Sequence, residues 1–167
     1  MSTVLERRDA VPQLEPGRWV LGVPVAVYAV LVLPFVFHGV VGEPDLERMV
    51  MGIIYGASSG LREAAGYHYN LEVSFGYYAA LYHLLPQSVL LNSAALIEAI
   101  NFIGYAGAIA CVGLVAWYVE RLFGVVVAVT TSILFGFCPV FLDLGTSGHP
   151  QVIALAMLFL EIGRAHV

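Results

Sequence analysis

The chain has 167 residues, of which 60% are apolar or aromatic and only 11% are charged. Soluble domains carry about a quarter charged residues, so this composition excludes an ordinary soluble domain. The net charge is −5, Lys is absent and no basic patch occurs, which excludes nucleic acid as a partner because phosphate binding requires clustered cations. The long apolar runs instead indicate a membrane protein whose immediate partner is lipid.

The first 18 residues are polar and contain two prolines and a glycine, which predicts a disordered tail. Residues 19–41 follow without a single Asp, Glu, Lys or Arg. A helix needs about 20 residues to cross the hydrocarbon core. The run exceeds the 7–15 residues of a signal-peptide core, and no small-residue cleavage site follows it. We therefore predict a retained transmembrane helix.

Two further runs, residues 99–119 and 122–142, also lack charged residues. A fourth apolar run begins at Val152 and is interrupted at Glu161. The pattern predicts an all-α, polytopic transmembrane helical bundle of about four spans over residues 19–160, with the last span truncated.

The final heptapeptide, residues 161–167, resembles the translation of a common sequencing adapter. On this interpretation Leu160 lies near the last authentic residue and the chain is an N-terminal fragment. The alternative is a genuine helix end, with Glu161 and Arg164 at the membrane interface.

The distribution of arginine predicts the orientation. Four arginines flank the side on which the chain begins: Arg7, Arg8, Arg18 and Arg121. The long segment 42–98 has two arginines and six acids. The positive-inside rule then places the N-terminus in the cytoplasm of a multi-pass cell-membrane protein, with segments 42–98 and 143–151 outside.

The predicted outer loop contains two candidate helices. Pro44 is suited to the first position of a helix that extends to about Ser59. Residues 71–85 are apolar and aromatic, stop before Pro86 and fit an interfacial helix. In the alternative reading, residues 73–91 form a fifth span, which inverts the topology of everything that follows.

Asp45 is the first candidate for chemistry, since it follows the first apolar run by four residues. A carboxylate at the membrane surface can act as a general base or bind a divalent metal ion. Glu43 and Glu47 compete for that role or contribute to substrate binding. The alternative is that these acids only stabilise a helix N-terminus.

Asp143 and His149 lie in or beside a polar stretch that is predicted to reach the same membrane depth as Asp45. Acids and an imidazole around an outward-facing cavity would form a polar substrate site. A simple interfacial turn is the alternative.

Aromatic side chains are concentrated in the outer loop. They fit either an interfacial aromatic belt or a surface on which sugar rings stack. The candidate substrate-binding residues among them are His68, Tyr69, Tyr77 and Tyr78.

The order of these parts resembles the start of the GT-C superfamily of integral-membrane glycosyltransferases, which includes the protein O-mannosyltransferases and aminoarabinose transferases. The residues that carry the likeness are 42–45, 74–78 with 85–86, and 147–150. One position departs from the pattern, because Leu46 follows Asp45 where the superfamily has a second acid.

The resemblance implies that Asp45 is the catalytic base or a metal-linked acid in a long outer loop. It also implies a polyprenyl-phosphate-linked sugar donor and an acceptor on the outer membrane face. A fragment that lacks the later helices would be inactive alone. A transporter fragment and a non-catalytic membrane scaffold are the alternatives from other classes.

Overall fold

The computed structural model describes residues 17–37, 81, 83–148 and 150–165. This part of the chain contains helices and the turns between them, as the all-α prediction requires. A short 3-10 turn, Arg18–Leu21, precedes six α-helices: α1 Gly22–Val36, α2 Gln87–Leu90, α3 Ser93–Phe123, α4 Val125–Gly136, α5 Pro139–Thr146 and α6 Pro150–Ala165.

Helix α1 is apolar around its whole circumference. Its buried face is formed by Tyr28, Val32 and Val36, which recur every four residues, while Val30, Phe35 and other large side chains on the remaining faces are exposed. A helix that is hydrophobic all round is a core helix of a large protein or a membrane span. Because so much of its apolar surface has no protein neighbour, α1 fits a membrane span.

Helix α3 is the centre of the bundle and packs against every other α-helix. It begins earlier than the predicted run 99–119, because the Asn92 side chain accepts hydrogen bonds from the N–H groups of Ala94 (3.1 Å) and Ala95 (3.2 Å) and so caps the helix. It ends at Gly124, whose φ of 85° is a conformation that favours glycine. The helix therefore has 31 residues.

The predicted third span, residues 122–142, is interrupted in the structure. Helix α4 ends at Gly136 and α5 begins at Pro139, with a bend of 65° between them. Pro139 has no N–H to continue the helix, and Cys138 before it is extended, with φ −61° and ψ 129°. The prediction of one uninterrupted span did not account for the break that Pro139 introduces.

Among the described residues, two helices are long and apolar enough to cross a membrane: Trp19–Val36, counted with the 3-10 turn, and Ser93–Phe123. A third span is present if the bent pair α4–α5 counts as one. Helix α6 has 16 residues and extends through Glu161 to Ala165. The described residues thus form a helical bundle with two or three helices able to span a membrane.

Helices α1 and α3 run antiparallel. Val25 lies against Gly113 near one end of the pair, and Val36 lies against Asn101 near the other. We call the end with Val36, Asn101 and Ser147 the polar end, and the opposite end with Glu120 and Arg121 the charged end. The end of α1 and the start of α3 therefore both lie at the polar end.

This geometry disfavours the alternative in which residues 73–91 form one additional span. If α1 and α3 both cross the membrane, a single crossing between them would make the two helices parallel. The helical residues before Pro86 are also separated from α2 by the non-helical Leu85–Pro86 step. The described helical residues 81, 83 and 84 end before Pro86, as predicted for the end of the stretch 71–85.

Small residues on α3 allow the other helices to approach closely. A Cβ built at Gly104 would lie 2.7 Å from the Cα of Gly148, and one built at Gly107 would lie 2.5 Å from Cδ1 of Ile153. Membrane helices associate through such small-residue contacts, because burial from water does not drive their packing in lipid. Any larger side chain at these positions would separate α3 from α6 and the turn before it.

Candidate functional site

The candidate site was predicted mostly from residues outside the described part of the chain. These are Asp45, Glu43, Glu47, His68, Tyr69, Tyr77, Tyr78 and His149. Asp143 is the one predicted site residue that the structure describes, and its proposed partners remain predictions. The structure adds the packing of the polar end, at which the predicted outer segments begin and end.

Asp143 lies within α5, which continues beyond the predicted apolar run 122–142 to Thr146. Phe141 and Gly145 form the buried side of this helix, so Asp143, two residues from each, lies on the opposite side and is exposed. Two residues correspond to about 200° around a helix. Its carboxylate is therefore directed away from the bundle core, and a ligand or a further segment of the protein can reach it.

Asn101 joins α3 to the end of α1. The side chain is 1% exposed, and its Nδ2 donates a hydrogen bond to the carbonyl oxygen of Val36, with an N–O distance of 3.4 Å. The last carbonyl groups of a helix have no partner within that helix, so Asn101 satisfies one of them. Its Oδ1 is buried and has no hydrogen-bond partner among the described residues.

The turn after α5 is seated directly on Asn101. Gly148 has a φ of 68°, and a Cβ built on it would lie 2.5 Å from Cγ2 of Ile100 and 3.0 Å from Oδ1 of Asn101. Only glycine fits this conformation and this space. The buried Ser147 donates from its hydroxyl to the carbonyl oxygen of Asp143 at 2.6 Å, so the turn satisfies this hydroxyl within its own segment.

Two tyrosines lie deeper in the bundle. The Tyr105 hydroxyl donates to the carbonyl oxygen of Ala29 at 2.6 Å and ties α3 to α1. The ring of Tyr28 fills the inner angle between α4 and α5, with centroids 5.9 Å from Phe137 and 6.0 Å from Phe141. The Tyr28 hydroxyl is buried, and among the described residues it has no hydrogen-bond partner.

The polar and charged ends are about one membrane thickness apart. Nineteen positions separate Asn101 from Glu120 along α3, which corresponds to about 28 Å of helix against about 30 Å of hydrocarbon. When the charged end lies at one membrane surface, the Asn101 layer therefore lies at the other. Asp143 and the turn at Ser147 belong to that second surface.

The charged end holds a groove of about 660 Å³, lined by Leu114, Trp117, Leu160, Gly163 and Arg164. Its charges are already engaged, since Arg164 pairs with Glu161 at 3.1 Å and the Arg121 guanidinium lies 4.0 Å from the centre of the Trp117 ring. Trp and Arg at such a position are typical of a membrane interface. No group of acids, His or Cys able to hold a metal ion occurs among the described residues.

The candidate site residues selected from the sequence did not include Asn101, Tyr28 or Tyr105. A usable signal was present on α3, because Asn101, Tyr105 and Ala108 follow the i, i+4, i+7 spacing of one helix face.

Comparison with known proteins gives no match to a family model, a curated protein or a solved structure. Function is therefore argued from the residues alone.

Proposed function

We propose that this chain is the N-terminal membrane part of a glycosyltransferase that moves a sugar from a polyprenyl-phosphate donor to an acceptor at the outer membrane face. In this proposal the chain contributes four spans to the cell membrane, and its N-terminus lies in the cytoplasm. The observation that supports it is the antiparallel packing of α1 and α3, which brings the end of α1 and the start of α3 to the same end of the bundle, the polar end. The exposed Asp143 and the turn that leads into His149 are at that same end.

The chemistry of such a transfer suits a site at this depth. The polyprenyl chain holds the leaving phosphate at the membrane surface, and the acceptor hydroxyl requires a base within about 2.6–3.2 Å. Asp45 is the proposed base, because it follows α1 by nine residues on the side where α1 ends. Glu43, Glu47 and the aromatic residues of the same segment would contact donor or sugar, and Asp143 offers a second carboxylate for substrate or a divalent metal ion.

The test is Asp45→Asn in the full-length protein, reconstituted in membrane vesicles with a polyprenyl-phosphate hexose as donor. The release of polyprenyl phosphate, measured with a membrane extract as the source of acceptors, should fall by at least about 100-fold if Asp45 is the base. Glu120→Gln is the matched control, since it changes a carboxylate to an amide at the opposite, charged end of the bundle. Undiminished release from Asp45→Asn would exclude Asp45 as the base.

A transporter fragment is the second candidate, and the break between α4 and α5 specifically favours it. Transporters form substrate sites where a membrane helix is interrupted and its backbone groups are freed. Here, however, the Tyr28 ring occupies the inner angle of the break, and α4 and α5 carry only Asp143 as a charged residue. Uptake of a labelled solute by proteoliposomes with unchanged uptake after Asp45→Asn would favour transport over glycosyl transfer.

A further inference from the structure

We propose that Asn101 is a positioning residue, which fixes the end of α1 relative to the turn at Ser147–Gly148. This inference rests on the proposed function, because those two places are where the chain enters the predicted acid segment and His149. It assigns Asn101 no contact with substrate. Its role is to hold the end of α1 and the Ser147–Gly148 turn at a constant separation.

The contacts of Asn101 support this role at both ends of its amide group. Nδ2 reaches the carbonyl oxygen of Val36, the last residue of α1, while Oδ1 lies against Gly148 in the turn after α5. The flat amide group therefore stands between two segments that are 112 positions apart in the chain. Gly104, one turn further along α3, also contacts Gly148, so the turn rests on two successive positions of one rigid helix.

The chemistry of Asn101 differs from that of a local helix cap and from that of an apolar packing residue. Helix caps are commonly made by local side chains, as Asn92 caps α3, whereas Asn101 reaches the end of α1 from another helix. Leucine has a similar size and would fill the same space in a bundle, without leaving a buried amide oxygen unpaired. The amide of Asn101 holds the end of α1, although its Oδ1 has no hydrogen-bond partner among the described residues. Such an arrangement is expected when the position of α1 matters more than stability.

Displacement of a catalytic group by about 1 Å lowers the rate of reaction by up to about 100-fold, because the reacting atoms lose their alignment. A positioning defect of this kind reduces kcat and leaves substrate binding largely intact. We therefore expect Asn101→Leu to lower kcat roughly 10- to 100-fold with KM changed by no more than about twofold. The measured kcat is expressed per polyprenyl-phosphate-binding site, so that unfolded protein does not contribute.

The experiment compares the wild-type full-length protein with Asn101→Leu, Asn101→Ser and Ser132→Ala. Ser132 is the matched control because it is also a buried polar residue, but its hydroxyl donates to Ala128 within the same helix at 2.7 Å. Ser132→Ala should lower stability without changing kcat per binding site. Asn101→Ser cannot span to Val36, so it tests the same contact if the leucine variant does not fold.

A wild-type kcat per site in a folded Asn101 variant overturns the inference, whatever its stability. A loss of kcat equal to that of Ser132→Ala also overturns it, since the effect would then reflect general loosening of the bundle. Failure of the proposed function itself gives a different result: the wild-type protein releases no polyprenyl phosphate, or Asp45→Asn remains fully active, and the inference on Asn101 falls with it.

Discussion

The packing of Tyr28 against Gly145 predicts a specific compensation between two substitutions. A Cβ added at Gly145 would lie 2.5 Å from the Tyr28 hydroxyl oxygen and 2.9 Å from Cβ of Ala108. The hydroxyl is buried and has no partner among the described residues. Gly145→Ala should therefore destabilise the bundle, and Tyr28→Phe, which removes only the hydroxyl, should relieve the part of the clash that involves Tyr28.

The magnitudes follow from these contacts. Overpacking of a buried site costs about 1–3 kcal/mol, and replacement of a helical glycine by alanine returns about 1 kcal/mol through helix propensity. Tyr28→Phe alone should be neutral or stabilising by up to about 1 kcal/mol, because it removes an unpaired buried polar group. In the double variant the free energy of unfolding should recover in part, with a coupling energy of about 1–2 kcal/mol, while the contact with Ala108 remains.

The assay is SDS-induced unfolding of the purified full-length protein in lipid–detergent micelles, followed by circular dichroism for all four proteins of the cycle. The matched control is Gly22→Ala at the start of α1, where an added Cβ meets no atom within 4 Å. That substitution should not couple to Tyr28→Phe. If Gly145→Ala is equally destabilising with and without the Tyr28 hydroxyl, the close approach of Tyr28 to α5 is refuted.

Two further predictions concern the turns and the direction of the helices. Gly148→Ala should lower the free energy of unfolding more than Gly124→Ala in the same assay, because both residues have a positive φ but an added Cβ is obstructed only at Gly148. We expect losses of about 2–5 kcal/mol for Gly148→Ala and about 1–3 kcal/mol for Gly124→Ala. Equal losses would contradict the packing of the turn on α3. Single cysteines replacing Gly17 and Arg121 should react with an impermeant maleimide from one side of sealed vesicles, and a cysteine replacing Ser93 from the other, in a background without Cys111 and Cys138. Labelling of all three positions from one side would refute the antiparallel arrangement of α1 and α3.

Composition and run length were sufficient to predict the helical class and the approximate positions of the long helices. The prediction was least accurate where a single residue determines the backbone. Asn92 extends α3 beyond its apolar run by capping it, and Pro139 divides an uninterrupted apolar run into two helices. Hydropathy averages over about 20 residues and does not register such local effects, although both residues were visible in the sequence.

The candidate site was less predictable than the fold for a physical reason. Acids and aromatics near the ends of spans are recognisable by type, which is how Asp45 and Asp143 were selected. The contacts of Asn101 with Val36 and Gly148 depend instead on which helices become neighbours, and one sequence does not contain that information. Tyr28 was overlooked for the same reason, since a tyrosine within an apolar run looks the same whether it faces lipid or fills a bend.

The length of α3 has a consequence for the surface at which the polar end lies. Its 31 residues extend about 46 Å, so a tilt of about 50° would be needed to contain it within about 30 Å of hydrocarbon. Membrane helices rarely tilt beyond about 40°. Because α3 ends only two residues after Arg121, the excess of roughly two turns lies at its start, near Ser93. The first two turns of α3 therefore extend beyond the hydrocarbon on the side of the bundle where α1 ends.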